Sequence, residues 1–139
     1  MKRMLAVLFL SAMTTGVSAN PDSLVGQFTH DFTLPENQPV WTVKKTGTTW
    51  RVLFHGSNET LLAKQVDEAG KAAFWEQMWW PSDKAKGARC LSIGGKWQGM
   101  MCYVHGKARA EVSDLAQNGS DYFYYDPLGG LKEIRRIRK

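Results

Sequence analysis

Two runs of β-forming residues meet at Thr46-Gly47, and their alternation leaves this stretch one way to fold. Short glycine-containing loops join paired antiparallel strands. With Thr46-Gly47 as the loop, Val43 faces Trp50 and Trp41 faces Val52. These four apolar side chains then share one face, while Thr42, Lys44, Thr49 and Arg51 share the other. Successive strand side chains point to opposite sides, so register and polarity agree when Val40 to Phe54 is a half-buried hairpin.

The flanking segments extend the pattern. Leu24 to Leu34 alternates loosely through Val25, Phe28 and Phe32 and stops at Pro35, which predicts a first strand. His55 to Asn58 is a turn, and Glu59 to Val66, carrying Leu61 and Leu62, is the next strand. Asp67 to Trp80 stands between two forms. Phe74 with Met78, and Trp75 with Trp79, recur at helical spacing before a stop at Pro81. As a strand, Ala73, Trp75 and Trp79 would share a face with Gln77 intruding. Ala69, Ala72 and Ala73 tilt the balance to a short helix. Ser82 to Gly87 then reads as a polar connection.

Arg89 to Val104 forms a second hairpin that contains both cysteines of the chain, Cys90 and Cys102. A two-residue Gly94-Gly95 loop would set Cys90 opposite Gly99. An odd-numbered loop centred on Lys96 sets it directly across from Cys102, so a disulfide between them favours the wider loop, with Lys96 and Trp97 near its tip, or else a bulge. Beyond it, Gly106 to Ala116 has helix character, with Ala108, Val112 and Leu115 near one stripe, and Asn118-Gly119 ends it. The last hairpin, Asp121 to Ile137, turns around Pro127 to Gly130. That loop pairs Phe123 with Ile134, Tyr124 with Glu133 and Tyr122 with Arg135. The expected fold is therefore mainly β (α+β): an antiparallel meander forming a curved sheet or small barrel, with one or two short helices.

Residues 1–19 stand apart from this pattern. Lys2 and Arg3 precede the apolar run Met4 to Met13, and Val17-Ser18-Ala19 gives the small-residue pattern of a cleavable secretory signal. The apolar run is about half the roughly 20 residues needed to span a bilayer. No cysteine follows the cleavage point, so no lipid anchor is expected there. The mature protein is then residues 20–139, one globular domain of usual size, soluble in the periplasm or outside the cell. An even cysteine count in that oxidising setting fits a structural disulfide. Losing Lys2 and Arg3 would lower the formal charge from +5 to +3. Much of the excess lies in Lys132, Arg135, Arg136, Arg138 and Lys139, too mild a field to predict nucleic-acid binding.

Chemistry-bearing motifs are sparse. His30, His55 and His105 share no metal-ligand spacing. Ser92, Ser113 and Ser120 lie in no nucleophile elbow. Gly94-Gly95 and Gly129-Gly130 belong to hairpin turns, not to a phosphate loop. Neither an enzyme nor a cofactor is expected. Aromatic residues, at 12 % of the chain, carry the functional expectation. Tyr122 to Tyr125 is four rings in a row, and an alternating strand cannot turn all of them to one core. Tyrosine, tryptophan and arginine dominate contact energies at interfaces. The expected partner-binding residues are Lys96, Trp97, Trp79, Trp80, Tyr122, Tyr124 and Arg135. They point to a small exported binding protein of inhibitor or immunity type, docking on a secreted hydrolase or toxin. The alternatives are an envelope glycan- or lipid-binding module with an aromatic groove, and a small enzyme whose site assembles only in three dimensions.

Overall fold

The computed structural model describes residues 23–30, 38–94 and 99–137. Its strands are β1 (Gly26–Thr29), β2 (Trp41–Thr46), β3 (Thr49–Phe54), β4 (Glu59–Gln65), β5 (Ala88–Ile93), β6 (Gly99–Val104), β7 (Tyr122–Asp126) and β8 (Gly130–Arg136). Each pairs antiparallel with the next, and β8 returns to β1, so the meander closes into an eight-stranded barrel. Helix α1 (Glu68–Gln77) and a 3-10 helix (Ser82–Gly87) connect β4 to β5. The four-residue α2 (Gly106–Arg109) opens the connection from β6 to β7.

Among the described residues there are two apolar clusters, separated by the wall of the barrel. Inside lie Phe28, Trp41, Val43, Trp50, Val52, Leu91, Ile93, Met101, Tyr124 and Ile134, with Leu24 among them. Outside, α1 lays Phe74 and Trp75 against Cys90, Cys102, Val104 and Phe123, and Trp80, Val112 and Leu115 complete the layer. Strands β5, β6 and β7 are therefore covered on both faces. By contrast β2, β3 and β4 present Thr42, Lys44, Arg51 and Lys64 outward. Among the described residues no helix is long and apolar enough to cross a membrane.

The first hairpin keeps the expected faces with a shifted register. Gly47 has φ +61, the left-handed conformation that the first position of a II′-type two-residue loop demands. The loop is therefore Gly47-Thr48, and Val43 pairs with Val52, Trp41 with Phe54 and Lys45 with Trp50. The shift is by two residues, so the apolar four still face inward. The first strand is shorter than expected because Leu24 and Val25 pack into the interior cluster ahead of it. Phe32 and Leu34 lie outside the described residues.

The expected helix at Asp67 to Trp80 forms. The Asp67 side chain caps it by accepting from Gly70 N at 2.7 Å, a standard way to satisfy an orphan helix donor. Cys90 pairs directly with Cys102 and is bonded to it. Ile93 pairs with Gly99, the register of the wider loop; residues 95–98 lie outside the described residues.

Two expectations are corrected. The helix at Gly106 to Ala116 stops at Arg109, after which the chain proceeds by turns closed by Val112 N to Arg109 O, Leu115 N to Val112 O and Asn118 N to Leu115 O. That three-residue spacing still buries Val112 and Leu115 together. In the last hairpin the loop has three residues, not four. Asp126 Oδ1 accepts from the Leu128 and Gly129 amides, and Asp126 pairs with Gly130. Tyr122 therefore pairs with Ile134, Phe123 with Glu133 and Tyr124 with Lys132. A one-residue slip exchanges the faces. Tyr122 and Tyr124 turn into the barrel, and Phe123 and Tyr125 turn out beneath α1.

Candidate functional site

Helix α1 ends in an arrangement that singles out one side chain. The Trp79 amide donates to Glu76 O at 3.0 Å and the Trp80 amide to Trp75 O at 2.9 Å, while Trp79 itself has φ +61. The residue just past a helix end often takes this left-handed conformation, and it is usually glycine. A bulky residue there carries strain of about 1–2 kcal/mol. Trp79 is also 95 % exposed. Both the backbone and the indole are thus held where local stability disfavours them.

The base beneath Trp79 is firmly packed. The Trp80 ring lies 5.2 Å from Trp75, 5.6 Å from Phe123 and 6.0 Å from Phe74. Its indole N–H donates to Asp114 Oδ2 at 2.7 Å. Helical spacing alone would put Trp79 above Trp75 on the buried face. The left-handed turn after Met78, just ahead of Pro81, swings it out instead. Two adjacent tryptophans therefore have opposite roles: Trp80 anchors the fold, and Trp79 projects from it.

The other expected partner-binding residues separate. Lys96 and Trp97 lie outside the described residues. Trp80 and Tyr124 are buried and are withdrawn as contact residues. Tyr124 sits against Trp41, ring centroids 4.8 Å apart; burial, with Asp126 adding to it, pushes its hydroxyl up to about 12. Tyr122 is half-buried between Phe28 and Tyr103, and its hydroxyl donates to Ser23 O at 2.8 Å. Burial raises its pKa, and Arg136 pulls the other way.

Tyr122 and exposed Arg135 do come together. With Gln27, Ser120, Asp121 and Arg136 they line an open cleft of about 850 Å³ where β8 meets β1. The Arg109 guanidinium shapes one wall by pairing with Asp121 at 3.1 Å and donating to Ser120 O. Sequence reasoning missed Gln27, Asp121 and Arg136 here. The closure of β8 on β1, which brings them together, leaves no local signal.

The histidines have separate surroundings. His55 Nε2 lies 2.6 Å from Thr42 Oγ1, His105 Nδ1 accepts from Ala108 N, and the His30 ring lies against Trp41. Among the described residues, no three His, Cys, Asp or Glu side chains gather as a metal site. No family model, characterised protein or solved structure matches this chain.

Proposed function

We propose that the chain is a small exported binding protein that docks on a protein partner with Trp79 as its anchor. The observation that carries this reading is the strained, almost fully exposed Trp79 on a tightly packed base. Exposed tryptophans of this kind are typical interface hot spots, each worth 2 kcal/mol or more when removed. A single protruding indole is convex, so its counterpart is concave, and enzyme sites are the usual concave surfaces. This favours an inhibitor or immunity role against a secreted or incoming hydrolase. The disulfide and the signal-like leader fit export to an oxidising compartment.

Trp79→Gly tests the reading because its two expected effects have opposite signs. Glycine relieves the left-handed strain and should stabilise the domain by about 0.5–1 kcal/mol, raising Tm by a few degrees. If pull-down from periplasmic extract recovers a hydrolase with the wild type, the same substitution should weaken binding to it about 30-fold or more. Unchanged affinity and inhibition in a correctly folded Trp79→Gly protein would sink the proposal. A second reading rests on the Arg135–Arg136 cleft, which suits an anionic envelope glycan. In that case binding would survive Trp79→Gly and fail in Arg136→Gln.

A further inference from the structure

Helix α1 and its neighbours cover β5, β6 and β7 and leave the outward face of β2, β3 and β4 open to solvent. Strand alternation puts Lys44, Arg51 and Lys64 on that face, and all three are exposed. Its other outward positions are threonines and leucines. The face therefore holds three cations and no carboxylate.

The register sets these charges side by side. Lys44 pairs directly with Arg51. Residues so placed have Cβ atoms about 5 Å apart, and like charges there destabilise a sheet. Arg51 pairs in turn with Leu62, which puts Lys64 on the diagonal, roughly 7–8 Å away. Among the described residues, no ion pair involves Lys44, Arg51 or Lys64. The free fold thus carries a repulsion that nothing in the chain relieves.

We infer that this face binds a linear acidic polysaccharide, because three unpaired cations share it with hydroxyls and no carboxylate. The cations are spread over three strands and do not close on a pocket, so a small anion would meet one or two at a time. A polymer with a charge on each repeat meets them in succession. The face is also the convex outside of a barrel, over which a chain drapes more fully than a planar bilayer can press. Threonine hydroxyls both donate to and accept from sugar hydroxyls. Leu62, 63 % exposed beside Arg51, offers apolar surface to the C–H faces of sugar rings. Bound anions would cancel the Lys44–Arg51 repulsion, so the feature that destabilises the free fold favours the complex. The surface shares no residue with Trp79 or with the Arg135–Arg136 cleft.

The test is calorimetric titration of the purified protein with polygalacturonate, dextran sulfate and uncharged dextran at low ionic strength. Saturable binding of at least one acidic polymer and none of dextran is expected. Added salt should weaken it, because screening shortens the reach of exposed charges. Arg51→Gln and Lys64→Gln should each weaken binding about three- to tenfold. Lys107→Gln, at an exposed position on α2, should leave it unchanged. Lys44→Glu has two expected effects of opposite sign. A carboxylate opposite Arg51 should raise Tm and lower affinity about tenfold or more, so misfolding cannot account for the loss. Tighter binding of polygalacturonate would mark a carboxylated glycan as the ligand; tighter binding of dextran sulfate would mark a sulfated one. Binding of neither polymer, unchanged affinity in Lys44→Glu, or an equal loss in Lys107→Gln would overturn the inference. So would tighter binding to vesicles of phosphatidylglycerol and phosphatidylcholine in equal parts than to either polymer.

Discussion

Tyr124 shows how much rests on which side of a strand a ring takes. Its residue type and place in an aromatic run are plain from sequence, but its side depends on whether the Pro127 loop holds three residues or four. The observed pairing with Lys132 sends it inward, where burial lifts its hydroxyl to about 12 against an ordinary value of 10.0. Between those values the unfolded chain loses a proton that the folded chain keeps. Stability from this group is therefore complete below pH 10 and falls as pH rises through 12. The loss should total about 2–3 kcal/mol. Denaturant melts across pH 9 to 12 should show this fall, and Tyr124→Phe should flatten it. An identical alkaline limb in the variant would assign the effect elsewhere. Trp79 marks the complementary limit. Its candidacy was legible as a tryptophan beside another, whereas the backbone turn that exposes it and buries Trp80 depends on packing beneath the helix end.

At the scale of elements, hairpins were readable where something pinned their parity. The β5–β6 pairing followed from requiring Cys90 and Cys102 to meet, and the structure has that register. The β7–β8 pairing had no such constraint, so an Asp126-bonded loop one residue shorter was enough to invert it. The disulfide also lies beneath α1, with Cys90 and Cys102 in the outer cluster beside Phe74 and Trp75. Closing a loop of this length contributes about 3 kcal/mol by the chain-entropy account. The paired Cys90→Ser and Cys102→Ser variant should lose stability of that order in denaturant melts. Both cysteines are almost inaccessible, so dithiothreitol should fail to reduce the native protein until denaturant loosens α1. Rapid thiol labelling under native conditions would show instead that the helix opens readily.

Across the whole molecule, the decisive relation is one that strand patterns cannot express: an aromatic strand may be buried on both sides by its own chain. Alternation predicted that one face of β7 would be spare for a partner. Instead the barrel interior takes Tyr122 and Tyr124, and α1 covers Phe123 and Tyr125. The result is an uneven barrel. Strands β5, β6 and β7 share two cores and a disulfide, with six register pairs between β5 and β6. The closing seam is slight: β1 meets β8 through Phe28 with Arg136 and Thr29 with Arg135, extended by Ile137 N to Gln27 O at 2.8 Å. Local opening follows such differences in packing and backbone pairing. Native-state hydrogen exchange should therefore find the β1–β8 amides exchanging through small openings, while β6 amides exchange only with global unfolding. A ligand seated between Tyr122, Arg135 and Arg136 would bridge that seam and slow its exchange selectively, whereas a partner gripping Trp79 would protect the end of α1 and leave the seam unchanged. Equal protection of β1 and β6 in the free protein would mean that closure, not the two-sided strands, holds the barrel together.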